Sequence, residues 1–178
     1  MKNYYFIICI FFFVSIPFSS LSQENESDIF DIARSGTLME LKEKLSKNPK
    51  SIDEKNKSGY TPLILACYNE NDVVAKYIID HCSDVNLNSG YGTALMAATI
   101  KKNEYLVDYL LKKKADVNIS DANGTTALHY AIIFSLNRIA EKLIKAGAKY
   151  NLKDNRGNTA KDYAILKNKS ELLILFKS

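Results

Sequence analysis

Histidine and cysteine are scarce in this chain, with two and three copies in 178 residues. A metal site needs three or four converging ligands, and the adjacent His81 and Cys82 supply only two. A phosphate-cradling glycine loop is also missing. Gly90-Tyr91-Gly92 is followed by neither the lysine nor the acid such a loop requires. Charge of one sign is lacking as well. Lysine and arginine number 24 against 20 aspartate and glutamate, a net charge of +4 well mixed along the chain. The only dense cluster, Lys112-Lys113-Lys114, reads as a solvated helix end, where cations suit the helix dipole. These absences leave no basis for a metal, a cofactor or a nucleic-acid partner.

What the chain does have is a period. Ala33, Ala66, Ala98, Ala131 and Ala164 follow one another at steps of 33, 32, 33 and 33 residues. Thr61, Thr93, Thr126 and Thr159 each lie five residues before their alanine. Leu63, Leu95 and Leu128 lie three before it, with Phe30 in that place in the first unit and Lys161 in the last. Asp53, Asn86, Asn118 and Asn151 close the register twenty residues after the alanine. A period of this size marks a stacked repeat protein.

One unit, residues 58–86, shows the physics. Gly59 gives a turn, and Thr61-Pro62 starts a helix with threonine as cap and proline at the first helical position. Leu63, Ala66 and Cys67 share one face. The polar run Asn69-Glu70-Asn71-Asp72 ends that helix. A second follows, with Val74, Ile78 and Ile79 on its buried stripe, and it ends near Cys82. Only a small side chain fits where two helices pack closely, hence the alanine column. Neither helix is long enough to be stable alone, so stability comes from stacking.

The segments GYTPLILACYNENDVVAKYIIDHCSDVN and GTTALHYAIIFSLNRIAEKLIKAGAKYN resemble ankyrin repeats. The resemblance covers residues 28–178 and implies an all-α solenoid of about five helix–turn–helix units with hairpin-like loops. The units run over about 28–57, 58–88, 89–121, 122–154 and 155–178, the first and last acting as caps. Arg34, Lys42, Glu43 and Lys44 are expected on the exposed face of the first cap. The departures from the family pattern are also specific. Cys82 and Lys114 stand where a left-handed glycine is usual and only Gly147 keeps it. Glu70, Lys102 and Ser135 replace the helix-linking glycine. Tyr91 holds a hairpin glycine position, and Gly36 falls one residue early. His129 is implied to be structural, bonded to neighbouring loop backbone. Asp53, Asp84, Asp116, Asp121 and Asp154 recur in loops, as turn formers do. No catalytic residue is expected. Cys67 is read as core and Cys82 as partly exposed, at opposite sides of their unit and beyond the ~7 Å reach of a disulfide.

The N-terminus is separate. Lys2 precedes a 13-residue apolar stretch, Tyr4 to Ile16, followed by small residues at Ser20 and Ser22. Residues 1–22 read as a secretory signal peptide, too short in its apolar part to span a bilayer with ease, and residues 23–27 as a linker. Cleavage removes Lys2 and lowers the net charge by one. Cys9 lacks the small residues that precede a lipidated cysteine. The expected location is the periplasm or the exterior, the alternative being a tether through an uncleaved segment.

The resemblance implies binding of another protein on a concave face of first helices and loop tips. It places the contacts at Lys57, Ser58, Tyr60, Tyr68, Asn69, Tyr91, Ile100, Lys101, Asn123, Thr125, Phe134 and Arg156. Tyrosine, phenylalanine and arginine carry interface energy because they bury much area at low entropic cost. Phe134 has a second reading, packing between helices. The expectation is a monomeric adaptor, inhibitor or stabiliser without catalysis. Two alternatives stay open: an effector acting on a host protein, and a thiol redox protein using Cys82.

Overall fold

The computed structural model describes residues 27–167 together with Leu173 and Phe176. The expected signal segment and most of the final run, SELLILFKS, lie outside the described residues. The elements are α1 (Ile29–Ser35), α2 (Leu38–Lys47), a 3-10 turn (Pro49–Asp53), α3 (Pro62–Tyr68), α4 (Asp72–His81), α5 (Ala94–Ile100), α6 (Glu104–Lys112), α7 (Ala127–Ile133), α8 (Asn137–Lys145) and α9 (Ala160–Leu166). Among the described residues there is no strand, only the isolated bridges Ser120–Thr126 and Lys153–Thr159 at the necks of two loops.

The threonine column starts the helices as its chemistry requires. Thr61, Thr93, Thr126 and Thr159 are the N-caps of α3, α5, α7 and α9, each hydroxyl accepting from a backbone N–H one turn on. The helices are only 7 to 10 residues long, so burial holds them. They stack in two rows. The inner row is α1, α3, α5, α7 and α9; the outer row is α2, α4, α6 and α8. All five periodic alanines are 0% exposed, which places the column at the helix contacts. The apolar core is continuous from Ile29 to Phe176.

The Asp/Asn column has a mechanical role. Asp53 accepts from the Ser83 N–H, Asn86 Oδ1 from the Asp116 N–H at 2.8 Å, and Asn118 Oδ1 from the Lys149 N–H at 2.8 Å. Each ties its own unit to a loop N–H of the next. Loop backbones add further ties, Ala122 N–H to the Gly90 carbonyl at 2.7 Å and Asn155 N–H to the Asn123 carbonyl at 2.9 Å.

Several departures from the family pattern resolve here. Glu70, Lys102 and Ser135 do take the left-handed conformation between paired helices, with φ of 60°, 60° and 57°. Lys114 is left-handed at φ 61°, but Cys82 is not; its φ is −69°. Its N–H bonds the Ile78 carbonyl at 2.7 Å, and the next N–H goes to Asp53, so the chain leaves α4 extended. Tyr91 also escapes strain. The shortened loop moves the positive φ to Gly90 (85°) and Gly92 (122°) on either side of it. The first unit has a link one residue shorter: Gly36 is extended, and Thr37 caps α2 at once. Lys42 and Glu43 are exposed as expected, whereas Arg34 and Lys44 are half-buried.

Candidate binding site

A cleft of about 390 Å³ opens on the side of the stack where loop tips meet first helices. It crosses three units. Arg34 comes from α1; Ile64, Leu65 and Tyr68 come from α3, with Asn69 at its end; Thr93, Ala97 and Ile100 belong to α5 and its cap. Tyr60 and Tyr91 reach in from the two loop tips. The volume lies within the ~300–1,000 Å³ usual for ligand pockets.

Tyr60 and Tyr91 are stacked, ring centroids 5.4 Å apart and planes 19° off parallel. Such a pair is worth about 0.5–1.5 kcal/mol beyond area burial. Tyr60 packs against the core, while Tyr91 keeps 68% of its surface exposed. The backbone that aims them is held by asparagines. Asn56 Oδ1 accepts the Ser58 and Tyr60 N–H groups, both at 3.0 Å, and Asn88 Oδ1 accepts the Gly90 N–H at 2.8 Å. Gly92 is required: a Cβ there would come within 2.7 Å of Met96 Sδ, and its φ is positive. Tyr68 is 52% exposed, with Lys101 Nζ 5.3 Å from its ring centroid and 3.0 Å from Glu70.

Of the sequence-derived contact residues, the cleft brings together Tyr60, Tyr68, Asn69, Tyr91 and Ile100, with Lys101 beside Tyr68. Lys57 and Ser58 are exposed on the tip before Tyr60. Asn123, Phe134 and Arg156 are exposed but do not line the cleft. Phe134 is 46% exposed and stacks on Tyr130 at 6.2 Å, so it is not a residue packed between helices. Thr125 is a correction. It is 8% exposed, with its N–H bonded to the Asp121 carboxylate at 2.9 Å and its carbonyl to the Asp121 N–H at 3.0 Å. Arg34, Leu65 and Ala97 were not anticipated as lining residues. The column four places after the capping threonine, Leu65, Ala97, Tyr130 and Tyr163, holds the signal: its small member leaves the space.

The remaining reactive groups are accounted for by structure. His129 is fully buried and Nδ1 accepts from the Thr126 N–H at 3.2 Å, so the proton sits on Nε2, 3.4 Å from the Asn158 carbonyl. Burial holds its pKa below the ordinary value, against the pull of the Asn158 carbonyl and nearby carboxylates. His81 is exposed and stacks on Tyr77. Burial pushes the Cys67 thiol up; burial, with Asp53 second, pushes Cys82 up to about 11. A thiol so protonated at neutral pH is a poor nucleophile. Among the described residues no group of His, Cys, Asp and Glu could hold a metal ion, and no helix is long and apolar enough to cross a membrane.

No curated protein matches the chain. The family model described as ankyrin repeats (3 copies) matches residues 29–121, 83–154 and 105–177. With capped helix pairs stacked in two rows over that same span, the chain belongs to the ankyrin repeat family, whose repeats serve as a protein–protein interaction module.

Proposed function

We propose that the protein is an exported, monomeric binding module that holds a partner protein in the Tyr60–Tyr68–Tyr91 cleft and performs no catalysis itself. It acts as an adaptor, inhibitor or stabiliser in the periplasm or outside the cell, with residues 1–22 as the export signal and 28–178 as the repeat domain. The observation that carries this reading is the cleft. Three tyrosines converge on one open site, two of them about half-exposed or more, and exposed aromatics at a preformed cleft are the usual anchors of an interface. The apolar N-terminal stretch supports export.

The test is affinity capture from envelope and medium fractions of the source cells. The bait is the protein, alongside its Tyr60→Ala, Tyr68→Ala, Tyr91→Ala triple variant, checked for unchanged helical content. A protein held by the first and lost by the second is the expected result. Equal retention by both would remove the cleft from the account. Release into the medium, with capture of a host protein only, would favour the effector reading.

A further inference from the structure

Among the described residues, one charged side chain lines the cleft, and it is a cation, Arg34. No carboxylate lines it. Arg34 gives an Nη1 N–H to Asp31 at 2.6 Å. A guanidinium carries five donors in a fork, and the Arg34 side chain is 40% exposed. Lys101 repeats the arrangement beside Tyr68, 3.0 Å from Glu70. In both pairs the acid is the more exposed partner, 64% against 40% and 52% against 34%. Both acids lie outside the lining. The anions therefore face water more than the cations do.

That asymmetry selects an occupant. A basic segment would set its charge against Arg34 with no carboxylate in the wall to answer it, which disfavours it. A carboxylate meets a guanidinium whose fork can bond it in two places, beside an apolar wall that weakens screening. The cleft volume of about 390 Å³ suits one or two side chains of an extended segment, not the face of a folded domain. A single lining cation is also few for a nucleic-acid backbone, whose binding needs many phosphate contacts.

We infer that the cleft takes an extended acidic peptide segment of the partner. One aromatic or branched apolar side chain of that segment sits against the Tyr60–Tyr91 stack and Ile100. A neighbouring Asp or Glu carboxylate accepts from Arg34. This inference rests on the cleft being the binding site, as proposed above.

The test is selection from a displayed library of random linear decapeptides on the immobilised full chain, followed by affinity measurement of the selected peptides. Enrichment of sequences with an apolar residue next to Asp or Glu is expected. On the unmodified protein, replacing the acid of a selected peptide by its amide should weaken binding about tenfold or more. Arg34→Gln should weaken the acidic peptide equally and leave the amide peptide unchanged, while Arg34→Lys restores part of the preference. Selected peptides that depend on Tyr91 but are indifferent to the acid overturn the acidic inference and keep the cleft. No enrichment, or enrichment that survives Tyr91→Ala, overturns both. Retention of a labelled oligothymidylate in competition with the selected peptides overturns the choice of a peptide.

Discussion

In the second and third units the position four residues after the capping threonine holds Leu65 and Ala97; in the fourth and fifth it holds Tyr130 and Tyr163. Each of those later tyrosines donates its hydroxyl to a carboxylate nine residues earlier, Asp121 or Asp154, at 2.6 Å. Each carboxylate also accepts two backbone N–H groups of its own loop. In the earlier units the loop position belongs to Asn56, which shapes the same turn, and to Asn88, whose turn is closed by Ser89 instead; neither has a tyrosine to receive. One scaffold thus carries two treatments of the same slot. Where a tyrosine closes on an aspartate, the loop is locked to the helix. Where a leucine and an alanine stand instead, a cleft remains, and the tyrosines appear at its rim. A repeat fold separates stability from recognition by spending identical positions differently along the stack.

The sharpest way to break this comparison is to unlock the closed region. Tyr130→Phe or Tyr163→Phe removes a hydrogen bond to a buried carboxylate and should lower unfolding free energy by about 1.5–3 kcal/mol in urea titrations. A change near zero would mean the pairs do not lock the loops. In the open region the effects should fall on binding instead. Tyr91→Ala should weaken the captured partner by about 2 kcal/mol, roughly 30-fold, in calorimetry. It should lower stability by only about 0.5–1.5 kcal/mol, the worth of its stack on Tyr60.

A smaller effect concerns pH in the closed region. Burial lowers the pKa of His129 in the folded protein, while the unfolded chain takes up a proton near the ordinary value of about 6.5. The unfolded state then binds more protons, so stability present above that value is lost as pH falls through it. Protonation also removes the Nδ1 acceptor from the Thr126 N–H. Denaturation curves from pH 7.5 to 5.5 should show stability declining by at most about 1.4 kcal/mol per unit. His129→Gln should flatten that slope. The smallest effect is expected at Phe134, outside the cleft: Phe134→Ala should leave partner affinity within about 0.5 kcal/mol.

The sequence made the shared features of the units legible, and the site only partly so. The alanine and threonine columns recur because every unit meets the same packing and capping demands, so they announced the helices and their starts. The tyrosines of the cleft stood at positions the resemblance marks as variable. Ala97 and Leu65 look like ordinary helix interior in the sequence; their meaning lies in the contrast with Tyr130 and Tyr163. The sequence puts Arg34 on the exposed face of the cap, but it is half-buried on α1 at the cleft. Register alone puts Thr125 on the surface, and the structure buries it to 8% exposure.

The central claim is that the open slot of the second and third units is the binding site. The direct measurement is partner affinity of an Ala97→Tyr, Asn88→Asp variant, which rebuilds the closed arrangement in the third unit, with thermal unfolding followed on the same samples. Tyr91→Ala serves as a second probe of the slot should the new tyrosine perturb the fold. The account predicts a cooperative transition like that of the parent, and partner binding weakened about 30-fold or more. Undiminished binding by a folded variant with its slot closed would contradict it.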